Sequence, residues 1–95
     1  MMRVEIIGNR SIQEDLLDLL DKYQVGKYRT IIPEVRGRGS SGPRQGDHIW
    51  PEENFIMIIF CENAQAKIIR QVIGELKEYF PDEGIKMFAT KLEKV

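Results

Sequence analysis

Two rhythms of hydrophobic and polar positions divide the chain. Arg3-Val4-Glu5-Ile6-Ile7-Gly8 is a short β-rich run, and Gly8-Asn9 closes it with a turn signal, so a first strand is predicted there. Ser11-Ile12-Gln13-Glu14 has the S-x-x-E form of a capping box, in which Ser11 accepts from the Glu14 N–H and Glu14 reaches back to the Ser11 N–H. Behind it Ile12, Leu16, Leu19, Leu20 and Tyr23 fall on one helical stripe, with Leu17 at its edge and Glu14, Asp15, Asp18 and Asp21 on the opposite face. The spacing predicts a helix that Gly26 ends as a C-cap.

The rhythm then changes. Tyr28 to Arg36 (YRTIIPEVR) is predicted as the second strand, and Pro33 assigns it to a sheet edge because proline has no N–H for a ladder. Phe55 to Cys61 is apolar at every position, which suits a strand in the middle of a sheet. Asn63 is the expected cap of a second helix whose apolar face is Ile68, Ile69, Val72, Ile73, Leu76, Tyr79 and Phe80, closed by Pro81. Gly74 lies on the other face of that helix, and Ile85 to Leu92 supplies the last strand.

The order β-α-β-β-α-β is that of the ferredoxin-like α+β fold: a four-stranded antiparallel sheet with two helices on one face. Its usual strand order, 4-1-3-2, puts the proline-bearing strand at an edge and the apolar strand in the centre, as their sequences require. Along that third strand Phe55, Met57, Ile59 and Cys61 point to one side and Ile56, Ile58 and Phe60 to the other. Two helices cover only one side. The other would expose a contiguous apolar patch, so burial against further copies of the chain is expected.

Composition narrows the class. Ninety-five residues suit one domain, 1–95, and a chain 42% hydrophobic and 31% charged is expected to be globular, neither disordered nor membrane-spanning. A net charge of −1 gives no global basic field for nucleic acid. A single cysteine forms no internal disulfide, and the chain opens without an apolar signal segment, so a cytoplasmic location is expected.

One stretch stands outside both rhythms. Val35 to Trp50 reads VRGRGSSGPRQGDHIW, and the connection it belongs to, 37–54, is far longer than the ~2–5 residues of a usual hairpin loop. Gly37-Arg38-Gly39-Ser40-Ser41-Gly42 matches G-x-G-x-x-G, but a dinucleotide site needs a helix to open there, and Pro43, Gly46 and the following strand argue against one. Two readings stay open. Glycine-rich backbone N–H groups and arginines can grip a small anion, or the segment is a solvated hairpin tip. His48 has carboxylates nearby, Asp47, Glu52 and Glu53, with Cys61 as a further candidate neighbour, at no fixed metal-ligand spacing. Trp50 is expected to pack, or to anchor a partner. No Ser/His/Asp set, Cys/His pair or ordered carboxylate pair occurs, so no catalytic residue is assigned and a non-enzyme is expected.

Glu34-Val35-Arg36-Gly37-Arg38-Gly39 resembles the E-V-K-G-x-G segment that ends the second strand of PII nitrogen-regulatory proteins. The order of elements, the long loop and the apolar third strand follow in register over essentially the whole chain. Gly46 to Pro51 also resembles a small PII-like group. The resemblance implies a homotrimer that binds adenine nucleotides in clefts between subunits and touches a partner protein, a transporter or an enzyme, through the loop. It implies ligand contacts at Gly37, Arg38, Gly39, Arg44, Gln45 and Lys86. Gln45 stands several residues later than the family's glutamine. The segment before Lys86, Asp82-Glu83-Gly84-Ile85, has lost two of the family's glycines, and the basic C-terminal segment of the family has no counterpart before Val95. Two other expectations are carried forward: a metal-responsive trimer, similar to the CutA proteins, with His48 as ligand, and a purely structural assembly subunit.

Overall fold

The computed structural model describes residues 1–36 and 53–95. Its elements are β1 (Met2–Asn9), a 3₁₀ turn (Arg10–Ile12), α1 (Gln13–Lys22), β2 (Arg29–Val35), β3 (Asn54–Cys61), α2 (Asn63–Tyr79) and β4 (Ile85–Lys91). They form the expected ferredoxin-like α+β arrangement. The four strands make one sheet in the order β2-β3-β1-β4, with all three pairings antiparallel. The proline-bearing strand is at an edge, and its register with β3 shifts between Ile32 and Val35, around Pro33.

Alternation along β3 separates the two faces. Phe55, Met57, Ile59 and Cys61 are buried beneath the helices with Val4 and Ile6 of β1. From the helices come Leu16 and Leu20 of α1 and Ala66, Ile69, Val72, Ile73 and Leu76 of α2, and these residues share one core cluster. No polar or charged side chain of a described residue is buried in that core. Burial raises the Cys61 thiol above its ordinary range, with Glu62 adding to the effect, so the thiol stays protonated and inert.

On the other face Ile7, Ile32, Phe60 and Phe88 are each at least 38% exposed. The cross-strand register places Ile32, Ile56 and Ile7 in one row that ends at Lys86, and Thr30, Ile58 and Glu5 in the next, which ends at Phe88. Arg3 and Glu5 interrupt the patch with an ion pair of 3.1 Å along their own strand.

Helix ends depart from the sequence expectations in three places. The Ser11 capping box does not form. Asn9 caps the 3₁₀ turn instead, its Oδ1 accepting from the Ser11 N–H at 3.1 Å, and α1 starts only at Gln13. At the other end of α1 the residue just past the cap is Gln24, left-handed at φ 55°, while Gly26, also left-handed at φ 68°, comes two residues later. The Gln24 N–H donates to Asp21 O at 3.1 Å and the Val25 N–H to Leu20 O at 3.0 Å, the two bonds of a Schellman motif. Buried Val25 then meets the core cluster that holds Leu20, and that packing fixes where the helix stops. Asn63 is the first residue of α2 rather than its cap, which is Glu62 with no side-chain bond. Tyr79, placed on the apolar face by periodicity, is 73% exposed, because it sits in the last turn beyond the sheet.

Two glycines respond oppositely to an added methyl. A Cβ at Gly8 would lie 2.9 Å from Cζ of the fully buried Phe55 ring, whereas one at Gly74 would meet nothing within 4 Å. Urea denaturation is expected to show Gly8→Ala destabilised by about 1–3 kcal/mol through overpacking, and Gly74→Ala stabilised by roughly 0.5–1 kcal/mol through helix propensity.

Candidate functional site

The end of β1, the two roots of the β2–β3 connection and the turn into β4 meet at one end of the sheet. Strand β1 ends at Asn9, which pairs with Asn54 at the start of β3 and whose N–H donates to Gly84 O at 2.8 Å, just before β4 begins. Arg10 follows and ties the connection together. Its backbone N–H donates to Glu53 O at 3.0 Å. Its Nη1 donates to Glu34 Oε1 at 3.2 Å, at the end of β2, and to the Glu53 carboxylate, just before β3. One guanidinium thus holds an acid on each root of the connection.

All three side chains stand in solvent, so the cluster is a geometric tie and adds little stability. The Glu53 hydrogen bond, the charge of Glu53 and then that of Glu34 raise the Arg10 guanidinium further above its already high range, so the cation persists at every working pH. The two roots are also held by backbone pairing of Val35 with Asn54. Chemically, this end of the molecule offers a fixed platform from which residues 37–52 depart.

Of the residues singled out in the sequence, Lys86 is the one whose position is described. It is exposed near the start of β4, on the open face, beside Ile7 of β1. Gly37, Arg38, Gly39, Arg44 and Gln45 lie outside the described residues, as do His48 and Trp50. Among the described residues no group of three or more His, Cys, Asp or Glu side chains could hold a metal ion. Sequence reasoning missed Arg10, and it read Glu34 only as part of a motif and Glu53 only as a possible neighbour of His48. The available signal was an arginine placed immediately after the Gly8-Asn9 turn.

This fold, with a long connection clamped between its second and third strands, is that of the PII-like regulators. The profile of the family described as Nitrogen regulatory protein P-II matches residues 1–95, and the chain belongs to that family. No curated protein matches it. Among solved structures it is similar to CPII, a nitrogen regulatory PII-like protein from Thiomonas intermedia, bound to ADP, AMP and bicarbonate. That match has 18% identity and a TM-score of 0.67, over 98% of this chain and 88% of that one. A putative PII-like signaling protein from Thermus thermophilus matches at 23% identity and a TM-score of 0.60, over 94% and 83%. A DUF3240 family protein from Shewanella baltica matches at 12% identity and a TM-score of 0.70, over 99% and 92%. At these identities the structural likeness establishes the fold.

The tie can be tested by Arg10→Ala. Hydrogen exchange is expected to quicken at the amides of Arg10, Asn54 and Val35, while the melting temperature moves little because the core is untouched. Unchanged exchange at both roots would show that backbone pairing alone holds them.

Proposed function

We propose that the chain is a PII-like signalling protein and not an enzyme. In this reading it assembles as a homotrimer through the open face of its sheet and acts in the cytoplasm. It binds a small anionic ligand, with an adenine nucleotide as first candidate, in the clefts between subunits. The Gly/Arg-rich connection docks on a partner protein, a transporter or an enzyme.

The observation that carries this reading is the uncovered face. Ile7, Ile32, Phe60 and Phe88 give the open side of the sheet a largely apolar surface, interrupted at Arg3 and Glu5, while the other side is already packed, and water contact with such a surface is costly unless a second surface covers it. Further copies of the same chain are the cover most consistent with membership of the P-II family. Assembly would bring each subunit's clamped loop roots and Lys86 close to its neighbour's surface. Arg38, Arg44 and Lys86 are then the cations to neutralise phosphate, with the Gly37 and Gly39 N–H groups and Gln45 as donors. The ADP and AMP held by the structurally similar CPII make adenine nucleotides the first ligands to try. No described helix is long and apolar enough to cross a membrane.

Light scattering after gel filtration is expected to give three times the 11.1 kDa mass of the chain. Phe88→Glu, which puts a charge beside Glu5 on the β4 side of the face, is expected to give the single-chain mass with the helical circular dichroism retained. A wild-type monomer at micromolar concentration would overturn the assembly. Calorimetric titration with ATP, ADP and AMP tests the ligand separately. Lys86→Ala is expected to weaken the tightest of them about tenfold, the loss of one charge-assisted contact. Absence of heat with all three removes the nucleotide and leaves the docking role.

A further inference from the structure

A concave surface lies on the helix side of the sheet, away from the clamped loop roots and from the open face. Strand β4 is an edge, with no described strand beyond it. The groove between β4 and α2 has a volume of about 450 Å³ and is lined by Arg70, Ile73, Gly74 and Lys77 of α2 and by Met87 and Ala89 of β4.

Three features of that groove concern the same kind of occupant. The first is backbone. The Leu92 N–H donates to Met1 O at 3.1 Å and the Asn9 N–H to Gly84 O at 2.8 Å, so even-numbered residues of β4 turn their polar groups toward β1. Met87 and Ala89 therefore turn their N–H and C=O groups outward along the free edge, while their side chains form the wall of the groove. The second is shape. Gly74 sits midway between Arg70 and Lys77 on one flank of α2, and its missing side chain leaves a notch, since a Cβ there would meet nothing within 4 Å.

The third is charge. Arg70 and Lys77 are exposed and make no ion pair among the described residues. Seven residues along a helix separate their stems by about 10 Å. The acids closest in sequence do not serve them. Glu75 accepts from the Tyr23 hydroxyl at 2.5 Å on the α1 flank, and helical phase turns Glu78 away from β4. A groove with an apolar wall, a cation toward each end and free strand donors alongside suits an extended segment that bears acids at both ends.

The geometry points to β4 and α2 as a docking site for an extended acidic peptide segment of a partner protein, added to the sheet as a fifth strand on Met87 and Ala89. In such a segment every second side chain faces α2. The fitting pattern is acid-x-apolar-x-acid. The small apolar residue enters the notch at Gly74, and the two acids, roughly 13 Å apart along a strand, meet the flexible ends of Arg70 and Lys77. The groove shares β4 with Lys86, but none of its lining residues belongs to the proposed nucleotide contacts or to the loop.

The probe is a fluorescein-labelled, end-blocked peptide, Ser-Glu-Thr-Val-Thr-Glu-Ser, with Ser-Lys-Thr-Val-Thr-Lys-Ser as its charge-reversed control, both measured by anisotropy at low salt. Saturable binding of the acidic peptide alone is expected, with amide shifts in ¹⁵N spectra centred on Met87, Ala89 and Gly74. The double variant Arg70→Glu/Lys77→Glu is expected to weaken it tenfold or more, as the loss and reversal of two exposed pairs requires. Gly74→Leu is expected to abolish binding by filling the notch while the fold is kept, as circular dichroism would report. Three results would overturn the site: no saturation up to millimolar peptide, binding indifferent to the double reversal, or shifts confined to the open face or the loop roots.

Discussion

A sheet has two faces, and this chain has helices for only one of them. That constraint governs most of the molecule. Strand β3 must be apolar on both sides because it lies in the interior of the sheet, with β1 and β2 beside it and helices below. The helix-facing half of its side chains completes a core without a buried polar group among the described residues. The other half, with Ile7, Ile32 and Phe88 from the neighbouring strands, stays at the surface. An isolated monomer gains nothing from such a face, and the proposed assembly is what would cover it.

The same sheet fixes where its longest connection leaves. Antiparallel pairing of β2 with β3 brings Val35 opposite Asn54, and the end of β1 pairs with Asn54 from the other side. Arg10 is thereby delivered between Glu34 and Glu53. Glu34 belongs to the E-V-R-G-R-G segment that resembles the family motif, so one residue of that motif has a visible structural part: it is held at the root of the loop. An exposed ion triad contributes little to stability, and its effect is to hold the two roots of the connection together.

Much of this was legible in the sequence. The β-rich run Arg3–Gly8 with its turn signal, the period of 3.6 in both helices and the unbroken apolar run Phe55–Cys61 set the order of elements, and Pro33 with that run set their places in the sheet. The chemistry was less legible. Five of the six residues expected to contact ligand lie in the glycine-rich connection outside the described residues, so of the candidate site the structure locates Lys86 and the roots. The helix caps were misassigned because cap signals are local and degenerate: Asn9 and Ser11 both suit an N-terminus, and Gln24 takes a left-handed conformation that favours glycine because Val25 is pulled into the core.

By itself, then, the sequence determined the class of fold, the sidedness of the central strand and the family, since each is written in periodicities or in one short motif. Tertiary structure alone decided the meetings between distant surface residues. Arg10 with Glu53, and Arg70 and Lys77 beside the free edge at Met87 and Ala89, leave no periodic trace. The physical reason is that burial constrains a position to be apolar wherever it falls, while an exposed position accepts almost any polar residue. Which charge faces which is settled only when the backbone has folded.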